Sequence, residues 1–100
     1  MPYALGVDYG TNSVRALLVD VADGRELAAA VSDYRHGEKG VILDPRDPNL
    51  ARQHPRDYVD GFVDSVRRAI AGIDPAEIVG IGIDTTGSTP LPVDGDGVPL

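Results

Sequence analysis

Leu5-Gly6-Val7-Asp8-Tyr9-Gly10-Thr11-Asn12-Ser13-Val14-Arg15 stands near one end of the chain, and Ile81-Gly82-Ile83-Asp84-Thr85-Thr86-Gly87-Ser88-Thr89-Pro90 echoes it near the other. Each closes an apolar run with Gly, a branched residue and Asp, and each continues into a loop rich in Gly and hydroxyls. Runs of this kind read as strands buried on both faces. As parallel neighbours they would send both loops out at one carboxyl edge, where open α/β sheets bind ligands.

The segments between fit such a sheet. Tyr9 to Asn12 tolerates a tight turn, and Val14 to Asp20 resumes a β-rich run, which predicts a hairpin. Asp23-Gly24 marks the next turn, and Arg25 to Tyr34 returns as a third strand, although Ala28, Ala29 and Ala30 would suit a helix equally. Over 35–54 the pattern dissolves into a long loop or insertion, with Val41-Ile42-Leu43 its one short strand candidate; ligand-binding lid and disorder stand level there. Pro55 begins a helix whose buried face is predicted from Val59, Phe62, Val63, Val66, Ala69 and Ile70, with Arg67 and Arg68 near its C-terminus and Gly72 beyond it. Ile78 to Asp84 is then expected as a fully buried strand parallel to the first, after a right-handed crossover. Pro90 to Val93 reads as a further strand, closed by the turn Asp94-Gly95-Asp96-Gly97. The fold class is α/β: three antiparallel strands, a crossover helix and a parallel strand.

Composition narrows the function. One hundred residues, 42% apolar and 25% charged, suit one soluble globular domain, and a net charge of −7 disfavours nucleic acid and anionic membranes as partners. With no cysteine, disulfides, thiol catalysis and Cys-ligated metals fall away, and a reducing compartment fits. No apolar run approaches the roughly 18 residues of a membrane span. The opening residues lack a basic signal-peptide region, so the expectation is cytoplasmic.

The first loop holds the parts of a phosphate site. Gly10 lets the turn approach an anion, N–H groups with Thr11, Asn12 and Ser13 can donate to phosphate oxygens, and Arg15 adds a cation. Asp8 would hold a hydrated Mg2+, since magnesium binds proteins through one or two carboxylates and keeps its waters. A plain β-turn capped by Asp8 suits these residues equally. In the second loop the hydroxyls of Thr85, Thr86, Ser88 and Thr89 both donate and accept, matching a polyol or sugar, and Gly87 leaves room for it; singly they also read as a turn satisfying its own backbone. An aspartic-protease reading of Asp84-Thr85 fails, because Thr86 separates Thr85 from Gly87. His36 and His54 read as surface or capping residues, and Tyr58 as the rim of the helix's apolar face. Arg52, Arg56, Arg67 and Arg68 read as solvated partners of nearby Asp, with a lesser substrate role open to Arg52 and Arg56.

Taken together, Leu5 to Arg15, Gln53-His54-Pro55-Arg56-Asp57-Tyr58-Val59 and Val79 to Pro90 resemble the FGGY-type carbohydrate kinases, and among them the members that phosphorylate L-ribulose. The resemblance implies a ribonuclease-H-like domain of the actin and sugar-kinase type, with 1–100 the N-terminal portion of the N-terminal domain and a C-terminal domain absent from this chain. It implies ATP and Mg2+ as cofactors, and transfer of phosphate to the 5-hydroxyl of L-ribulose in arabinose catabolism, by a protein to which a homodimer is open when full-length. By resemblance Asp8 belongs to the Mg2+ site through water. Gly10, Thr11, Asn12, Ser13 and Arg15 surround the transferred phosphate, and Thr86, Gly87, Ser88 and Thr89 face the sugar. The family's proton-accepting Asp lies in a later Asp-Gly motif, so no catalytic residue is expected in this chain, which alone should be inactive; Asp84 is expected to orient its loop. Two alternatives stand beside this reading: a kinase for xylulose, D-ribulose or ribitol, and a non-catalytic module binding a nucleotide or sugar.

Overall fold

In the computed structural model, which describes residues 2–87 and 89–100, the apolar run at the start becomes strand β1 (Tyr3–Tyr9), paired antiparallel with β2 (Ser13–Asp20) from Tyr3↔Asp20 to Tyr9↔Val14. The Gly10 N–H donates to the Ser13 carbonyl at 2.8 Å and closes the predicted hairpin. At the second turn Gly24 takes φ 74°, open to glycine at no steric cost, and its N–H donates to the Asp20 carbonyl. β3 (Glu26–Asp33) then pairs antiparallel with β2, so the alanine-rich run is strand and not helix. Tertiary packing decides this: Ala30 is buried with Ala16 and Ala69 in one cluster, where a small side chain is required.

Helix α1 (Pro55–Ala69) starts where Pro55 predicted, and His54 is its N-cap, the ring accepting from the Arg56 N–H. The face it buries differs from the predicted one. Asp57, Gly61, Ser65 and Ala69, one ridge at spacing four, lie against the sheet; Phe62 and Val66 are half-buried, and Val59 and Val63 are exposed. Small residues on helix and sheet bring the backbones close, and an ideal Cβ on Gly61 would stand 2.6 Å from Val14 Cγ1. Gly61→Ala is therefore expected to cost stability. Overpacking costs about 1–3 kcal/mol against about 1 kcal/mol gained in helix propensity, a net loss of about 1 kcal/mol. Thermal melts check it, and in a Val14→Ala background, with that methyl gone, the loss should vanish or reverse.

After a short 3-10 turn (Pro75–Glu77), β6 (Ile78–Thr85) runs parallel to β1, completing a four-stranded sheet in the order β3-β2-β1-β6. β6 is not the fully buried strand expected of it. It is an edge strand, with Val79, Ile81 and Ile83 67%, 54% and 63% exposed, because α1 packs over β2 and β3 and stops short of it. The chain is correspondingly extended, with a radius of gyration of 15.7 Å against about 13 Å for a compact domain of this length.

Two further expectations change. The 35–54 loop contains a hairpin of β4 (Ile42–Asp44) and β5 (Asp47–Arg52), set by Asp44, whose carboxylate accepts from the Arg46 backbone N–H at 2.9 Å and from its guanidinium at 3.1 Å. Pro90 to Val93 is not a strand: Val93 makes only an isolated bridge to Pro99 around the predicted turn, where the Asp94 carboxylate accepts from the Asp96 and Val98 N–H groups. No helix among the described residues is long and apolar enough to cross a membrane.

Candidate functional site

Register brings the first candidates together. Asp8 pairs with Arg15 across β1 and β2 and with Asp84 across β1 and β6, so the three side chains form a row on the sheet face opposite α1. Beneath them the next row carries Leu17, Gly6 and Gly82, whose missing side chains leave a shallow groove lined also by Val7 and Ile83. Asp8, Arg15 and Asp84 are all exposed, and among the described residues none of the three is in an ion pair. Asp84 was expected to orient its loop; its carboxylate makes no hydrogen bond among the described residues and stands beside Asp8 instead.

This donor set fits one kind of metal site. Two neighbouring carboxylates, with no group of three or more metal-ligating side chains among the described residues, suit a hydrated Mg2+ and not a dehydrated all-protein cage. Arg15 supplies the cation an anionic ligand in the groove would need.

The β1–β2 loop is held from several sides. Tyr34 donates its hydroxyl to the Gly10 carbonyl at 2.9 Å, the Tyr34 N–H donates to the Asn12 carbonyl, and the Asn12 amide donates to the Lys39 carbonyl at 2.7 Å. Burial pushes the Tyr34 hydroxyl well above its ordinary pKa and raises that of Tyr9, with Tyr58 adding to both, so both stay protonated donors. Asn12 is thus committed to holding the loop. Among the described residues the Thr11 and Asn12 N–H groups and the Thr11 and Ser13 hydroxyls remain as its uncommitted donors.

The second loop lies by a larger cleft of about 650 Å3 formed by the β4–β5 hairpin, the start of α1 and the 89–92 segment. Thr86 and Thr89 are 3.2 Å apart through their hydroxyls, and Thr89 lines the cleft. Gly87 is exposed with open space around it, and Ser88 lies outside the described residues. The cleft is the bigger concavity, but the groove by Asp8 carries the charges that phosphate chemistry needs.

Two features escaped the sequence. Gln53 donates to the Thr11 carbonyl and accepts from Thr89 and Tyr58; the sequence marked it only as the first residue of the Gln53–Val59 resemblance, with no role attached. His36 is no free surface residue: its ring Nδ1 lies 2.5 Å from the carboxylate of buried Asp57 and its ring stacks on His54 at 3.9 Å. Burial pushes the Asp57 carboxyl up, but the His36 ring and backbone N–H bonds, its charge and the Arg35 N–H together hold it below the usual carboxylate range. His54 caps α1 as expected, and Arg56 and Arg68 pair with Asp60 and Asp64.

No protein-family profile matches the chain. A ribulokinase of Halalkalibacterium halodurans is 44% identical over 108 aligned residues, and one of Geobacillus thermodenitrificans 42% identical over 104, each alignment covering 98% of this chain and 18% of the relative. A crystal structure of a xylulose kinase from Brucella ovis superposes with a TM-score of 0.76 at 26% identity, over 95% of this chain and 18% of that one. The chain thus spans less than a fifth of the length of these proteins. By sequence along nearly its whole length this chain is similar to the first fifth of ribulokinases, and by fold to the corresponding part of a xylulose kinase.

Proposed function

We propose that the whole protein is a carbohydrate kinase that transfers the γ-phosphoryl group of ATP to the 5-hydroxyl of L-ribulose, with this chain the N-terminal portion of its first, ribonuclease-H-like domain. The observation that carries the reading is the row Arg15, Asp8, Asp84, which brings the ends of the two Gly-x-Asp strands, and hence both loops, to one edge of the sheet. The likeness to ribulokinases supports the sugar.

In this reading Asp8 holds Mg2+ through its waters, with Gly10, Thr11, Asn12, Ser13 and Arg15 around the phosphoryl group. Bound Mg2+ supplies charge neutralisation at the phosphate oxygens. Arg15 adds a second positive charge, and the Thr11 and Ser13 hydroxyls donate to the oxygens that gain charge. Thr86, Gly87, Ser88 and Thr89 orient the sugar. The proton of the sugar hydroxyl goes to the Asp of a later Asp-Gly motif, outside this chain. The protein works in the cytoplasm on small molecules, without nucleic acid or membrane, and assembles as a homodimer.

The likeness to a xylulose kinase structure favours one second reading, a kinase for another pentulose. A coupled assay of the whole protein settles between them by comparing kcat/KM for L-ribulose, xylulose, D-ribulose and ribitol. L-ribulose is expected to lead by at least about tenfold, which needs only about 1.4 kcal/mol of differential transition-state binding. A xylulose preference of that size overturns the L-ribulose assignment, and no phosphorylation of any of the four overturns the kinase reading.

A further inference from the structure

We infer that Gln53 is a positioning residue that sets the spacing between the β1–β2 loop and the loop after β6. If the kinase reading holds, on which this last step rests, it thereby sets the distance between the phosphoryl group and the hydroxyl that receives it.

Gln53 belongs to neither loop. It lies between β5 and the His54 cap of α1, half-buried, and spans both loops with one amide. Its Nε2 donates to the Thr11 carbonyl at 3.0 Å, and its Oε1 accepts from the Tyr58 hydroxyl at 2.8 Å and the Thr89 hydroxyl at 3.1 Å. The Thr11 carbonyl can only accept, so the amide has one orientation. Its anchor is rigid: the Tyr58 carbonyl accepts from the Tyr9 hydroxyl at 3.0 Å, and the Tyr58 ring packs on Tyr9 and Tyr34 at 4.9 and 5.6 Å.

The protons along this chain are ordered. Thr89 has one hydroxyl proton and gives it to Gln53, so in the Thr86–Thr89 contact Thr86 must be the donor. With its own proton committed, Thr86 offers a ligand acceptor capacity only, which selects a hydroxyl that donates. Among the described residues the Thr89–Gln53 bond is the one side-chain hydrogen bond from the second loop to the rest of the protein. Gln53 therefore transmits the position of the Thr11 carbonyl directly to the Thr89 hydroxyl.

The test uses the whole protein with Gln53→Ala and Gln53→Glu. Gln53→Ala is expected to raise hydrogen exchange in both loops together. It should lower kcat about 10- to 100-fold, the size of loss that misplacing reacting groups by about 1 Å produces, while the KM values for ATP and sugar each change less than about threefold because each loop still binds its own substrate. Gln53→Glu keeps an acceptor for both hydroxyls and loses the donor to Thr11, so it should loosen the β1–β2 loop alone and still lower kcat. Faster exchange in neither loop or in only one for Gln53→Ala overturns the inference, as does a lower melting temperature with kcat unchanged where the variant is folded. Faster exchange in both loops of a protein that phosphorylates no pentulose upholds the tie between the loops and overturns the kinase reading.

Discussion

The Asp8→Asn variant of the whole protein is expected to lose about 10^2- to 10^3-fold in kcat, the usual consequence of removing one preorganised electrostatic partner from a reacting group, while its stability holds or rises. The two halves of this result have one cause. Asp8 and Asp84 stand side by side on parallel strands, exposed and unpaired, at the roughly 4.8 Å separation of neighbouring strands. Like charges so placed cost the folded state about 0.2–1 kcal/mol, and an asparagine of the same shape removes that cost. A carboxylate kept for structure would show the opposite: loss of stability with activity retained. Kinetics with L-ribulose and MgATP beside a denaturant titration of the same variant separate the two. An active Asp8→Asn enzyme would remove Asp8 from the proposed Mg2+ site.

Why the sheet was legible and the helix face was not follows from what each depends on. β1, β2 and β6 were marked by apolar runs ending in Asp, and their turns by Asp23-Gly24 and Gly10, residues whose effect is local. The face of α1 depends on what lies beneath it. The largest apolar side chains defined the predicted stripe, but the sheet under α1 carries Val14, Ala16 and Ala30, and there the ridge that fits is Asp57, Gly61, Ser65 and Ala69. The burial assigned to β6 erred for a related reason: apolar composition predicts that a strand becomes covered, and within this chain α1 does not reach it.

The site shows the same division. Asp8 and Arg15 were legible as parts of one loop because the hairpin that joins them is marked locally. Placing Asp84 in the same row needed the parallel register of β1 and β6, which no local signal encodes. Gln53 and His36 act over separations of 42 and 21 residues, through a carbonyl and a buried carboxylate whose positions arise only on folding.

Asp57 is where that folding is most exposed to a single change. Asp57→Ala is expected to cost about 2 kcal/mol at pH 7, the size of leaving a buried donor without its acceptor. The carboxylate is buried in the first turn of α1 and accepts from the His36 ring at 2.5 Å and the His36 backbone N–H at 3.2 Å. The stranded partner sets the size of the loss: the His36 ring is 43% exposed and can rehydrate, whereas its backbone N–H loses its acceptor. Since His36 also stacks on His54, the change should free the base of the β4–β5 hairpin, read as faster hydrogen exchange over residues 35–54. Acid supplies the control through Asp57→Asn. Because folding lowers the Asp57 pKa, its contribution is present in full above the unfolded value of about 3.9 and is lost as pH falls through the lower folded value. Asp57→Asn has no such group to titrate, while the other carboxylates are common to both proteins and cancel. The stability gap between wild type and Asp57→Asn, measured by urea titration, should therefore narrow as pH falls below about 4. A gap that stays the same at lower pH would mean that shape, and not charge, is what Asp57 contributes.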